Sequence, residues 1–288
     1  MAVGSTFSDG WYWSADGLRL HYRDHAGPDG RPVLLCLPGL TRSARDFEGV
    51  AAHYGGHWRV ICADLRGRGE SAYAKDSLSY VPLTYAQDIA ALIAAAGIER
   101  FVAIGTSLGG IVSMLLAGTS VTRMAGVVLN DIGPVIEANG LARIRANVGR
   151  SSTWPTWLHA ARELAGRNAG IYPDWATPDW LLFAKRLCRL TPAGRIVFDY
   201  DARIADAMQL PGTDLDLWSA FAALTDVPVL SVRGELSDVL TAGTQVEMAT
   251  RHPGLRIATI HGVGHAPTLD EAESVAAIDL FLAEILKG

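Results

Sequence analysis

A short apolar segment followed by a serine between glycines is the feature that most constrains the fold of this chain. Phe101–Ile104 has the composition of a buried strand, Gly-Thr-Ser-Leu-Gly follows at 105–109, and Ile111–Ala117 favours a helix. In this order the G-x-S-x-G motif is typical of a nucleophile elbow, a turn that strains the serine backbone and exposes its hydroxyl above the sheet. We therefore predict that Ser107 is a catalytic nucleophile. The alternative is a small-residue turn that lets a helix pack close to a strand.

Composition narrows the class of protein. The chain has 288 residues, a net charge of −5 and 49% hydrophobic residues, which indicates a globular protein with no reason to bind nucleic acid or an anionic membrane. Two of its three cysteines, Cys36 and Cys62, lie in predicted buried strands and indicate reduced core thiols. The first residues have neither a basic nor an apolar segment, so we expect no secretion signal, and no apolar run reaches about 20 residues. We expect a cytoplasmic protein that acts on a small-molecule substrate, and the sequence carries no signal for an oligomeric state.

Apolar segments alternate with helix-forming segments along most of the chain. The predicted strands are Trp11–Trp13, Leu18–Tyr22, Val33–Leu37, Val60–Ala63, Phe101–Ile104, Val127–Leu129, Val229–Val232 and Arg256–Ile260. The first two flank a turn and predict a hairpin, whereas most others are apolar on both faces. Helices are predicted from a capping box at Ser43 and Asp46, from Thr84 to Gly97, after Ser107, and over 270–286. The pattern predicts an α/β fold with a mostly parallel, eight-stranded sheet and helices on both faces.

Residues 134–225 interrupt this alternation. Apolar stripes at helical spacing there predict a mainly helical cap, inserted after the sixth strand into a core domain made of residues 1–133 and 226–288. Five of the eight tryptophans lie in the insertion, and most of their rings would form its interior. A small helical unit has little interior, however, so we expect some rings to line an apolar pocket, with Trp154, Trp157 and Trp180 as candidates.

A serine hydroxyl needs a general base, and the base needs a carboxylate that fixes its tautomer. His265 lies in a glycine-containing loop directly after the last predicted strand and is the predicted base. Asp238, just past the preceding strand, completes the chain order Ser, Asp, His and is our preferred acid. Asp131, directly after the strand that ends at Leu129, is the alternative acid. Its structural interpretation is a hydrogen-bonded corner at the entrance to the insertion.

The reaction also needs donors that stabilise a developing oxyanion. The backbone N–H of Leu108, the residue after the nucleophile, should supply one. The second should come from Leu40, because Gly39 allows the loop after Val33–Leu37 to turn toward the site. We interpret the nearby Arg42 as a solvated surface residue rather than a partner for a substrate carboxylate.

Motifs for cofactors and metals lack the required context. The segment 67–72 matches the dinucleotide pattern G-x-G-x-x-A, but no helix is predicted to begin there. His21 and His25 fall on a strand, and a pair of glycines interrupts the spacing of His53 and His57. We expect neither a cofactor nor a metal ion.

These segments together resemble the α/β-hydrolase superfamily, in particular its single-chain members with a helical cap after the sixth strand. The similarity covers essentially the whole chain and is specific for fold and triad but not for substrate. It is carried by Leu37-Pro38-Gly39-Leu40, by the segments 64–71, 105–110 and 233–238, and by Gly264-His265-Ala266-Pro267. One departure is Pro38, where the family usually has a histidine that supports the oxyanion loop.

The nucleophile type indicates the reaction class. A serine with a histidine base suits acyl transfer to water through an acyl-enzyme, so hydrolysis of a small or medium, largely apolar carboxylic ester is the leading hypothesis. The resemblance implies a second possible reaction, hydrolysis of a carbon–carbon bond in vinylogous diketones. Enzymes of that kind, however, tend to carry tryptophan where this chain has Ala266. A hydrolase-like receptor that binds a small molecule without turnover is the alternative outside enzymes.

Overall fold

The predicted alternation of strands and helices is present in the computed structural model, which describes residues 6–120, 123–209 and 217–287. The strands in these ranges are β1 (Ser8–Trp13), β2 (Arg19–His25), β3 (Val33–Leu37), β4 (Val60–Ala63), β5 (Phe101–Thr106), β6 (Met124–Asn130), β7 (Thr153–Trp154), β8 (Cys188–Leu190), β9 (Ile196–Phe198), β10 (Val229–Gly234) and β11 (Arg256–Ile260). The helices are α1 (Glu48–Tyr54), α2 (Pro82–Ala95), α3 (Leu108–Ser120), α4 (Ala138–Asn147), α5 (Trp157–Asn168), α6 (Thr177–Leu187), α7 (Ile204–Ala207), α8 (Leu217–Ala222), α9 (Ala242–Arg251) and α10 (Ala272–Ile285), with 3₁₀ turns at Ala44–Phe47 and Ser77–Ser79.

Eight strands form one sheet in the order β1-β2-β4-β3-β5-β6-β10-β11. Strand β2 runs antiparallel to both of its neighbours, and the other pairs are parallel. Every residue of β3, β4 and β6 is buried, because helices cover both faces of a parallel sheet. The predicted fold class is confirmed. The parallel strands also place the carboxyl ends of β3, β5, β6 and β10 at one edge.

The segment between β6 and β10 is mainly helical, as the apolar stripes predicted, and contains helices α4 to α8. It also contains a small antiparallel sheet of order β7-β9-β8, which the sequence did not predict because these strands are only two or three residues long. Residues 210–216 of this segment lie outside the described residues. The division into a core and a cap domain stays a prediction.

Two helix starts differ from the predicted ones. Helix α2 begins at Pro82, two residues early, because proline is well accommodated in the first helical turn. The capping box at Ser43 does not form: its hydroxyl has no partner among the described residues, and Asp46 instead accepts a hydrogen bond from Arg42.

A buried ion pair holds the loop after β4 against helix α2. The side chains of Arg66 and Asp88 are 1% and 2% exposed, and Nε and Nη2 of Arg66 donate to the two carboxylate oxygens at 2.6 and 2.7 Å. Asp16, whose side chain is 53% exposed, accepts two further bonds at 2.9 Å, one from Nη1 and one from Nη2. Removal of one partner from such a pair leaves an uncompensated buried charge.

We predict that Asp88→Ala lowers the free energy of unfolding by about 3–5 kcal/mol, since Arg66 loses its buried carboxylate partner and keeps only the more exposed Asp16. Glu247→Ala is the matched control, because it breaks the exposed Glu247–Arg251 pair and should cost less than about 1 kcal/mol. Urea denaturation of both variants measures the difference. Equal losses would contradict a special role for the buried pair.

Candidate active site

Ser107 has the strained backbone that the elbow motif predicts. Its φ is 51°, a left-handed conformation that a residue other than glycine rarely adopts. The flanking glycines are needed for close approach. A Cβ at Gly105 would lie 2.4 Å from the Gly109 carbonyl oxygen, and one at Gly109 would lie 1.9 Å from the Leu37 carbonyl oxygen. The turn between β5 and α3 is therefore possible only with glycine at both positions.

Three side chains form one hydrogen-bonded chain at this turn. The Ser107 hydroxyl lies 2.9 Å from Nε2 of His265, and Nδ1 of His265 lies 2.7 Å from Oδ2 of Asp131. Asp131 is fully buried, and the His265 side chain is 9% exposed. A buried carboxylate accepts hydrogen bonds, which assigns the proton to Nδ1 and leaves Nε2 free to accept the serine proton. The arrangement is that of a nucleophile, a base and an orienting acid.

The preference for Asp238 as the third residue is wrong, because Asp238 does not contact His265. Both of its carboxylate oxygens accept hydrogen bonds from Arg143 on α4 at 2.6 Å, and this contact lowers the pKa of the Asp238 carboxyl. The loop after β10 instead brings the neighbouring Ser237 to the site, where its hydroxyl donates to Asp131 at 2.6 Å. The structure instead places Asp131, the alternative acid, in hydrogen-bond contact with His265.

Backbone and side-chain donors hold the Asp131 carboxylate in place. Oδ1 accepts from the Gly234 backbone N–H at 2.9 Å, and Oδ2 accepts from Ser237 and His265. Asp131 itself has a φ of 55°, so its backbone is strained like that of Ser107. Three donors offset the desolvation of a fully buried carboxylate and fix its direction. A sequence signal existed, since Asp131 directly follows β6, but Asp238 follows its strand in a similar way.

The loop after β3 lies beside the nucleophile, as predicted. A Cβ at Gly39 would be 3.9 Å from the Ser107 Cβ. The buried Arg68 fixes this loop, because its Nε donates to the Leu40 carbonyl oxygen at 2.8 Å. The backbone N–H groups of Leu40 and Leu108 donate to no residue that the structure describes. Their role as oxyanion donors stays a prediction.

A cavity of about 200 Å³ adjoins Ser107 and His265. The three tryptophans that we expected in its wall are not there: the wall has no contribution from Trp154, Trp157 or Trp180. Trp154 and Trp180 are buried within the insertion, and Trp157 packs against the same apolar cluster. The phenylalanines and tyrosines that line the cavity are Phe47, Tyr172, Phe183, Phe198 and Tyr200.

The cavity wall has an excess of positively charged side chains. Four line it, Arg42, Arg143, Arg167 and Arg186, whereas Asp46 is the one acidic side chain among the described lining residues. The interpretation of Arg42 as a solvated surface residue is wrong. Its side chain is 21% exposed, and its guanidinium carbon lies 4.5 Å from the centre of the Phe183 ring.

The described residues contain neither a cluster of metal ligands nor a helix suited to cross a membrane. His21 is buried, and its two ring nitrogens contact Asp64 at 2.7 Å and Asp9 at 3.0 Å, a structural arrangement. No cluster of three or more potential metal ligands occurs within the described ranges. None of the helices in those ranges combines the length and apolarity that crossing a bilayer requires.

The chain belongs to the alpha/beta hydrolase family, whose model matches residues 34–278. It is similar to the 3-hydroxybutyrate-oligomer hydrolase of Cupriavidus necator, with 32% identity over 91% of this chain and 92% of that protein. It is also similar to the 2-(acetamidomethylene)succinate hydrolase of Mesorhizobium japonicum, with 28% identity over 81% of each chain. A crystal structure of an alpha/beta hydrolase from Novosphingobium aromaticivorans superimposes with a TM-score of 0.92, at 51% identity over 96% of this chain and 98% of that one. The resemblance drawn from the motifs is confirmed at the level of the superfamily.

The two candidate acids give opposite predictions for asparagine substitutions. Asp131→Asn should lower kcat by about 1,000- to 10,000-fold, because the amide stabilises neither the required tautomer nor the imidazolium. Asp238→Asn removes only the ion pair with Arg143 and should leave kcat within the same order of magnitude. Hydrolysis of p-nitrophenyl acetate measures both, with thermal melting to verify folding. The reverse ranking would contradict the assignment of Asp131.

Proposed function

We propose that this protein is a carboxylic ester hydrolase that forms an acyl-enzyme on Ser107. The observation that carries the proposal is the hydrogen-bonded chain from Ser107 through His265 to the buried Asp131, with distances of 2.9 and 2.7 Å. Membership of a hydrolase family and similarity to an ester-oligomer hydrolase support it.

In the proposed mechanism, Nε2 of His265 accepts the hydroxyl proton while Oγ of Ser107 attacks the ester carbonyl carbon. The backbone N–H groups of Leu40 and Leu108 stabilise the oxyanion, and Asp131 stabilises the imidazolium. Collapse of the tetrahedral intermediate breaks the C–O bond, and His265 gives its proton to the leaving alcohol. Water, activated by the same histidine, then hydrolyses the acyl-enzyme and releases the acid.

The segment 134–225 serves as the cap in this proposal, with residues 1–133 and 226–288 as the catalytic core. Residues of α4, α5, α6 and β9 line the cavity beside Ser107, which supports a role in substrate binding. The same wall carries four arginines, so the site suits a polar substrate better than the largely apolar ester expected from the sequence. A hydroxyacid ester, the compound class in the name of the Cupriavidus relative, is a reasonable first substrate.

Hydrolysis of a carbon–carbon bond is the second candidate, because it uses the same triad. The compound in the name of the Mesorhizobium relative carries an amide, so this similarity widens the acyl bonds to be tested beyond esters without favouring a carbon–carbon bond. The receptor hypothesis, a protein that binds a small molecule without turnover, has less support because hydrogen-bond contacts join Ser107 to His265 and His265 to Asp131.

The proposal predicts that this protein hydrolyses p-nitrophenyl esters and that Ser107→Ala lowers kcat by about 10,000-fold or more. The matched control is Ser113→Ala in α3, the helix that follows Ser107. The buried Ser113 hydroxyl donates only to the Gly109 carbonyl oxygen, and this variant should retain kcat. A series from acetate to octanoate measures the acyl length that the cavity accepts.

Turnover that persists in Ser107→Ala would contradict the proposal. Absence of ester turnover together with cleavage of vinylogous diketones would favour the second candidate. Tight, saturable binding of such compounds without cleavage would favour the receptor.

A further inference from the structure

We propose that the cavity selects esters that carry a free carboxylate, and that Arg42 binds this carboxylate. The inference rests on the proposed function, because it names the substrate class for the same site. It comes from the arrangement of charges in the cavity wall and from the position of Arg42 relative to Ser107.

Three of the four arginines of the wall have their carboxylate partners outside it. Arg143 pairs with Asp238, Arg167 with Glu163 and Arg186 with Asp270, and none of these three acids lines the cavity. An ion pair of this kind fixes the orientation of a guanidinium and leaves its remaining N–H groups unused. These three arginines therefore present donors to a ligand in the cavity, whereas the negative charge that compensates them lies behind the wall.

Of the four cavity arginines, Arg42 is the one that directly follows the oxyanion loop in sequence. A Cβ at Gly39 would lie 3.3 Å from the Arg42 Cγ and 3.9 Å from the Ser107 Cβ, so the two side chains flank the same glycine. The guanidinium carbon is held 4.5 Å from the centre of the Phe183 ring, a distance suited to cation–π contact. Arg42 is thus fixed beside the position where the scissile carbonyl would bind.

Part of the Arg42 guanidinium is free to bind a ligand. Nε donates to Oδ2 of Asp46 at 2.6 Å, and Nη1 and Nη2 have no acceptor among the residues that the structure describes. Two N–H groups on one edge of a guanidinium match the two oxygens of a carboxylate. An unused donor pair in the wall of a substrate cavity is satisfied best by an anionic group of the substrate.

The charge of the site favours a carboxylate over a phosphate. The four arginines of the wall are balanced by Asp46 within it and by Asp238, Glu163 and Asp270 behind it. Because this set is electrically neutral as a whole, it accommodates one added negative charge more readily than the nearly two of a phosphate monoester. The geometry points to a monocarboxylate placed a few bonds from the ester.

A matched pair of substrates tests the inference. Mono-p-nitrophenyl glutarate and its methyl ester share chain length and leaving group and differ only in the free carboxylate. We expect wild-type kcat/KM to be higher for the acid. Arg42→Gln should lower kcat/KM for the acid by about 10- to 100-fold, because a charge-assisted hydrogen bond is lost, with little change for the methyl ester. Arg42→Lys keeps the charge but not the paired donors, and it should retain part of the preference.

The matched control is Arg251→Gln. Arg251 also pairs with a carboxylate one helical turn away, Glu247, and lies 3.7 Å over an aromatic ring, Trp218, but it does not line the cavity beside Ser107. It should leave the preference for the acid unchanged. Inhibition by glutarate, but not by its diamide, tests the same site without any substitution and should be weaker in Arg42→Lys.

The outcomes separate the two proposals. Ser107-dependent hydrolysis of both esters with no preference for the acid, or a preference that Arg42→Gln leaves intact, would overturn the carboxylate site and leave the ester hydrolase standing. No Ser107-dependent turnover of either ester would overturn the proposed function itself. If Arg42→Gln does not fold, failure of glutarate to inhibit the wild type would overturn the carboxylate site.

Discussion

The buried hydrogen bond between His265 and Asp131 is the contact on which the rest of the site depends. A carboxylate with no solvent exposure is unfavourable unless donors replace its water, and here a backbone N–H, a serine hydroxyl and the imidazole do so. The same contact fixes the imidazole so that Nε2 points at Ser107. The buried carboxylate therefore both receives the hydrogen bonds that it needs and fixes the orientation of the imidazole.

The sheet order explains why these groups meet. Strands β5, β6 and β10 are parallel neighbours, so the residues that follow them lie at one edge. Asn130, the last residue of β6, connects two of the loops at this edge. Its side-chain amide donates to the Thr106 hydroxyl at 3.0 Å and to the Pro267 carbonyl oxygen at 2.8 Å. Its own carbonyl oxygen accepts from the Ser107 backbone N–H at 2.9 Å. One residue therefore links the nucleophile turn to the loop that carries the histidine.

Local patterns predicted the sheet, the strained turn at Ser107 and the loop that carries His265, because strand hydrophobicity and turn glycines depend mainly on neighbours in sequence. The choice between Asp131 and Asp238 depended on tertiary packing. Both acids follow parallel strands, and what separates them is Arg143, which α4 brings to Asp238 from a distant part of the chain. Composition likewise located aromatic rings in the insertion but could not determine which of them face the cavity.

The arginines of the cavity illustrate the same limit. In the sequence Arg42 is a polar residue in a loop, and solvation is the natural interpretation. In the fold it lies between Gly39 and Phe183, with Asp46 one turn away, and becomes part of the wall. Neighbours that a sequence does not place together thus decide whether a charge faces solvent or substrate.

Trapping the covalent intermediate tests the central claim most directly. The protein would be quenched with acid during turnover of an activated ester, digested, and analysed by mass spectrometry. A serine hydrolase mechanism predicts that the peptide containing Ser107 gains the mass of the acyl group, and that this adduct decays as product forms. An acyl group on another residue, or turnover with no covalent adduct when deacylation is slower than acylation, would contradict it.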